Sequence, residues 1–137
     1  MIRYTPTEIV QKMMNKDAYS KWLGIKIVSV EEDEVSLRLQ ITEEMVNGFE
    51  IAHGGISYAL ADSSVAFAAN ASGMQWVSIE TSISHLKAIH LNDIITACAK
   101  LVSKSKKVAT YVVEITNQKT MKVAHFKGVM YNTDKSW

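Results

Sequence analysis

The stretch His53-Gly54-Gly55-Ile56-Ser57-Tyr58-Ala59-Leu60-Ala61-Asp62-Ser63-Ser64-Val65-Ala66-Phe67-Ala68-Ala69-Asn70-Ala71-Ser72-Gly73 decides the architecture. It contains no proline and five alanines before Asn70, and it reads as one helix over 53–73, roughly four to five turns long. The helix is apolar nearly all round, which predicts burial on several sides. Small alanine side chains would let a sheet approach it closely. Two features break the apolar pattern: a carboxylate, Asp62, midway along, and two glycines at the start.

Upstream, Ile25 to Val30 and Val35 to Gln40 read as two strands. The acidic turn Glu31-Glu32-Asp33-Glu34 joins them as a hairpin. Before them, residues 1–23 read as an N-terminal helix. Thr5-Pro6-Thr7-Glu8 fits a capping box with Pro6 at the first helical position, and Gly24 stands where a helix-ending residue belongs. Met45 to Phe49 is a loop. Downstream, four more strands are predicted: Trp76 to Lys87 with Val77, Ile79 and Ile83 on one parity, Ile94 to Val102, Val108 to Thr116, and Met121 to Asn132. Tight turns at Lys104-Ser105-Lys106 and Asn117-Gln118-Lys119-Thr120 imply antiparallel neighbours. Six strands and one long buried helix without βαβ alternation make an α+β fold, an antiparallel sheet curled around the helix.

The chain has 137 residues, one proline and no internal repeat or Gly/Ser-rich linker, so residues 1–137 are read as a single domain. Fifteen basic residues against fourteen acidic ones leave a formal charge of +1. No global positive field is present to hold nucleic acid or an anionic membrane. The apolar central stretch carries Asp62, Ser63, Ser64 and Asn70, which argues against a lipid-spanning helix. One cysteine, Cys98, excludes an intrachain disulfide framework and Cys₄ or Cys₂His₂ zinc sites. With no signal-peptide pattern at Met1 to Pro6, a cytoplasmic protein is expected. His85, His90 and His125 show no ligand spacing, so no metal is expected.

Burying an unpaired carboxylate is costly, which marks Asp62 as either paired, neutralised or functional. Glycines at a helix start leave backbone N–H groups uncovered at the positive end of the helix dipole, where an oxyanion can bind. Eight residues separate Gly54 from Asp62, about 12 Å along a helix. One chain cannot easily place both on one carbonyl. Two antiparallel central helices can, giving two equivalent sites in a homodimer.

Asn47-Gly48, His53-Gly54-Gly55, Leu60-Ala61-Asp62, Asn70 and Gly73 follow the pattern N-G…H-G-G…L-A-D…N…G. Ser82-Ile83, Leu86-Lys87, Asn92-Asp93, Val123-Ala124, Gly128 and Tyr131 continue it over about residues 20 to 132. This pattern resembles the hotdog-fold acyl-CoA thioesterases, in the PaaI-like (phenylacetic acid degradation) branch of the 4-hydroxybenzoyl-CoA thioesterase superfamily. The resemblance implies a hotdog fold, a homodimer often paired into a homotetramer, and hydrolysis of a coenzyme A thioester. It maps the family's carboxylate, as general base or nucleophile, onto Asp62, and the glycine that polarises the carbonyl onto Gly54. Asn47 and His53 position water and the helix entrance, and Ser78 assists water. Gly55, Thr81 and Lys87 are expected along the substrate, and Lys104, Lys106 and Lys107 either cap a solvated hairpin or contact the phosphates of coenzyme A. No cofactor is implied, since coenzyme A is part of the substrate. Three positions depart from the family: Asn92 replaces a glycine, His85 an aromatic residue, and Ala88 a proline.

Two other functions compete. A non-hydrolytic acyl-CoA sensor on the same fold would bind without turnover. A hotdog hydratase would need an acid–base pair, for which His53 and Asp62 are candidates. The acyl group, aryl or short to medium chain, is not encoded in the spacing.

Overall fold

The structure is a computed structural model that describes residues 3–137. Two short helices, α1 (Pro6–Lys16) and α2 (Ala18–Leu23), precede strands β1 (Lys26–Glu31) and β2 (Glu34–Gln40). A 3₁₀ turn at Glu43–Met45 leads to the central helix α3 (Gly54–Asn70). Strands β3 (Met74–His85), β4 (Ile94–Lys104), β5 (Val108–Thr116) and β6 (Lys122–Ser136) follow. All six strands form one antiparallel sheet in the order β1-β2-β4-β5-β6-β3, curled around α3. This is the expected α+β architecture, the hotdog fold.

The N-terminal helix expected over 1–23 is two helices, and residues 1 and 2 lie outside the described residues. Asp17 makes the break. Its backbone N–H still closes α1 onto Met14 O at 3.1 Å, while its carboxylate accepts from Ser20 N at 3.0 Å and Ser20 Oγ at 2.6 Å. A carboxylate that caps the next turn competes with helix continuation. The capping box at Thr5 and Glu8 is present, and Gly24 ends α2 with φ +77°, a conformation glycine adopts without a Cβ penalty.

The core is the inner face of the sheet against α3. Leu37, Ile95, Ala97, Tyr111, Val113, Ile115 and Phe126 are fully buried, with Leu60, Val65 and Phe67 of the helix. The approach is close at Gly128 of β6, where an added Cβ would lie 3.1 Å from a Val65 methyl. Asn70 anchors the far end of α3. Its Oδ1 accepts from Trp76 N at 3.1 Å and Trp137 Nε1 at 3.0 Å, and its Nδ2 donates to Trp76 O and Ala66 O.

Two burial expectations are corrected. The helix is not covered all round: Tyr58, Asp62, Ser63 and Ala66 form a half-buried stripe in the single chain. In β3 the register shifts between Met74 and Trp76 and again between Ser78 and Glu80. These irregularities break strict alternation. Trp76 therefore points inward, while Val77 and Ile79 stay 50% and 58% exposed on a sheet edge. No helix among the described residues is long and apolar enough to cross a membrane.

Candidate active site

The entrance of α3 is built by three local devices. His53 is the N-cap, and its ring Nδ1 accepts from Gly55 N at 2.8 Å. Glycine suits position 55, because an added Cβ would lie 3.1 Å from that same Nδ1. Asn47 folds the preceding loop: Asn47 N donates to Ile51 O at 2.7 Å, and its Oδ1 accepts from Phe49 N at 2.9 Å. These contacts leave the backbone N–H of Gly54, first residue of the helix, without a partner among the described residues. It is a free donor at the positive end of a 17-residue helix.

That donor lies on a cleft of about 350 Å³ that also carries Asn47, Ser57, His85, Lys87 and Ile89. Three residues named from the sequence, Asn47, Gly54 and Lys87, thus meet in one place. The cleft adjoins a second depression that shares Lys87 and Ala88 and adds His90, Asp93 and Lys119.

Asp62 lies two turns further along α3, about 12 Å from Gly54 by helical rise. It is half-buried and makes no hydrogen bond or ion pair among the described residues. Burial first, and the nearby Asp17 carboxylate second, push its carboxyl above the usual range. Asp17 is linked to α3 itself through Ser20, whose Oγ lies 2.8 Å from Ser63 Oγ.

Beyond Asp62 the open side of α3 borders two apolar hollows. One, about 340 Å³, lies between Met13, Phe67 and Trp137 with Lys12 and Lys16 at its rim. The other, about 380 Å³, joins Ala66, Trp76, Ser78, Met130 and Trp137. Ser78 therefore sits beside the turn of α3 that follows Asp62. Thr81 faces the helix one turn before Asp62, where its hydroxyl is hydrogen-bonded to that of Tyr58. Tyr58 is in turn packed edge-on against Phe126 at 5.2 Å.

Lys104, Lys106 and Lys107 do not join this group within one chain. The strand register places their hairpin beside Tyr131 and Val77, at the start of β3, whereas the Gly54 cleft lies at its end, by His85. Lys104 is bound to both oxygens of Asp33 at 2.8 and 2.9 Å and lies 5.6 Å from the Trp76 ring centroid. Lys107 is paired with Asp134. Of the three, only Lys106 forms no ion pair among the described residues. His125, read from the sequence as a strand residue, is held by Glu114 at 2.8 Å. No cluster of three or more metal-ligating side chains occurs among the described residues.

Sequence reasoning missed His85, Lys119 and the hollow formed by Met13 and Trp137. His85 was visible only as a departure from the family pattern; its approach to Gly54 depends on how β3 ends.

The chain matches the Thioesterase superfamily over residues 49–124. It is 35% identical over 116 residues to the Escherichia coli acyl-coenzyme A thioesterase PaaI, covering 85% of this chain and 83% of that protein. The solved E. coli PaaI structure superposes with a TM-score of 0.93 at 31% identity, over 96% of this chain and 95% of that one. A Streptococcus pneumoniae hypothetical thioesterase solved with coenzyme A gives 0.86 at 25% identity, over 93% and 99%. The chain belongs to the thioesterase superfamily. It is a thioester hydrolase built on the hotdog fold.

Proposed function

We propose that the substrate is an acyl-CoA and that the site is completed by a second copy of the chain. The observation that carries this reading is the pairing of an unpartnered Gly54 N–H with an unpartnered, half-buried Asp62, about 12 Å apart on one helix. Neither group has a partner among the described residues, and one chain cannot easily bring both to one carbonyl. The edge strand β3, with Val77 and Ile79 exposed beside the open stripe of α3, offers the surface across which two helices would meet antiparallel.

In this arrangement the thioester oxygen accepts from Gly54 N–H of one chain. Asp62 of the partner subunit takes a proton from water, or attacks directly, and the carbon becomes tetrahedral. The oxyanion is stabilised by the amide and the helix dipole. Collapse breaks the carbon–sulfur bond and releases coenzyme A as a thiolate, a good leaving group. It leaves the free acid where water attacked or, where Asp62 attacked, an anhydride that water then hydrolyses to the free acid and Asp62. Ser78 lies close enough to the Asp62 side of the helix to orient water. The apolar hollows lined by Met13, Phe67, Met130 and Trp137 take the acyl group, and their size suits aryl or medium-chain acids. Lys87 and Lys119 lie along the outward path from Gly54, where the phosphates of coenzyme A would pass. The names of the E. coli and S. pneumoniae relatives support acyl-CoA as the substrate class.

The test is thiol release from a panel of aryl and aliphatic acyl-CoA esters with wild type and Asp62→Asn. Turnover that falls about 10²–10⁴-fold in the variant is expected. Tight binding of acyl-CoA by wild type with no turnover would instead support the sensor reading.

A further inference from the structure

His85 closes β3 directly above the oxyanion donor. A Cβ built on Gly54 would lie 3.0 Å from His85 Nε2 and 3.1 Å from its Cε1, so the ring edge rests on the Gly54 Cα. The amide nitrogen and that Cβ position branch from the same carbon. The imidazole edge and the free N–H therefore flank one small volume. The ring is exposed on the cleft and has no hydrogen-bond partner among the described residues. An exposed imidazole with no hydrogen-bond partner among the described residues, resting beside an oxyanion donor, is placed to meet the substrate.

The orientation of a bound thioester follows from the two sides of the site. Its acyl part must extend toward the carboxylate and the apolar hollows. Its coenzyme A arm must leave through the cleft mouth, past His85 and Lys87. With the carbonyl oxygen on Gly54 N–H, the sulfur lies on the cleft side of the carbon, against the imidazole edge. We propose that His85 is a catalytic residue that donates a hydrogen bond from its ring N–H to the thioester sulfur as the carbon–sulfur bond breaks. The inference rests on the thioesterase reading above. In the step, the tetrahedral intermediate re-forms its carbonyl, the carbon–sulfur bond breaks, and its electron pair goes to sulfur. The thiolate departs hydrogen-bonded to the ring and takes its proton from water. His85 keeps its own proton, so no change in its charge is needed.

The test varies the leaving group at constant acyl group, comparing the coenzyme A ester with esters of thiophenols of increasing acidity. In wild type, His85→Phe and His85→Gln, kcat/KM is measured for each ester. His85→Phe is expected to slow the coenzyme A ester about 10²-fold, and the loss to shrink toward none as the thiol becomes more acidic and needs no donor. His85→Gln, which keeps an N–H donor, is expected to recover most of the rate. A loss in His85→Phe that is equal for every leaving group, or no loss at all, would overturn the proposal while leaving the thioesterase reading intact. Wild type inactive on all esters would overturn both.

Discussion

Asp62, the proposed base, weakens the fold that holds it. Its proton is held more tightly in the folded chain than in the unfolded one, because burial and Asp17 both disfavour the carboxylate. A raised pKa has a definite sign in stability. The folded chain binds more protons in the window that begins near the ordinary value of 3.8, so stability is lost as pH rises through it. Asp62→Asn carries no charge to desolvate. It should raise the Tm at neutral pH while abolishing turnover, as scanning calorimetry and the thiol assay would show together. With Asp62 as the proposed base, which must be ionised to act, the same shift should place the acidic limb of the kcat/KM profile above the ordinary carboxylate range. That limb is measured directly by a rate profile from acid to neutral pH. Gly54 permits a sharper substitution than alanine. It occupies the first helical position, where a missing N–H leaves no helical bond unmade, and His53 already has φ −62° and ψ 138°, the extended conformation that precedes proline. Gly54→Pro removes that N–H, and its Cβ also displaces His85, whose Nε2 lies 3.0 Å from that position. It should keep the far-ultraviolet CD spectrum and lower kcat by at least the ~10²–10³-fold of one lost oxyanion donor.

At the level of elements, the chain is strict where local geometry is special. Gly24 ends α2 in the left-handed region at φ +77°, with nothing within 4 Å of an added Cβ. Gly24→Ala therefore meets no clash but keeps the backbone penalty. It should cost about 1 kcal/mol, read as a lower urea midpoint with unchanged m-value. The same local signals made most elements legible in the sequence. The capping box, the helix-ending glycine, the alanine-rich run and the alternation of Ala109, Tyr111, Val113 and Ile115 each depend on near neighbours, and each appears as read. What was not legible depends on distant ones. The break at Asp17 needs a carboxylate to choose Ser20 over helix continuation. The inward turn of Trp76 and outward turn of Val77 follow from irregularities that only pairing with β6 reveals. In the candidate site, Asn47, Gly54 and Lys87 line one cleft. The hairpin lysines could not be placed, because whether Lys104 reaches a substrate or Asp33 is decided 71 residues away in sequence.

For the whole molecule, the proposed division of the site between two copies would make assembly and activity one property. Val77→Lys with Ile79→Lys puts two charges on the edge of β3, a common device against edge pairing. The double variant should sediment as a monomer and lose turnover without losing its CD spectrum. A mixing experiment is more specific. Asp62→Asn and Gly54→Pro are each inactive alone, yet a mixed pair joins the intact Gly54 of the first to the intact Asp62 of the second. Refolding them together at equal concentration should restore about a quarter of wild-type activity, since half the pairs are mixed and each holds one complete site. Activity no greater than the sum of the separate variants would place both groups of each site in one chain.

The four contacts of Asn70 have a consequence for how the molecule breathes. Three of them tie the last turn of α3 to Trp76 and Trp137, and the fourth closes on Ala66 O of the helix itself, so this end of the helix cannot open without releasing β3 and the C-terminal Trp137. The other end begins with an unpaired amide on an open cleft. Amide exchange along α3 should therefore run from fast at Gly54 to slowest near Asn70, a gradient set by where the local openings can start. The helix behaves as a cantilever, clamped at the corner of the sheet and compliant at the tip that opens on the cleft.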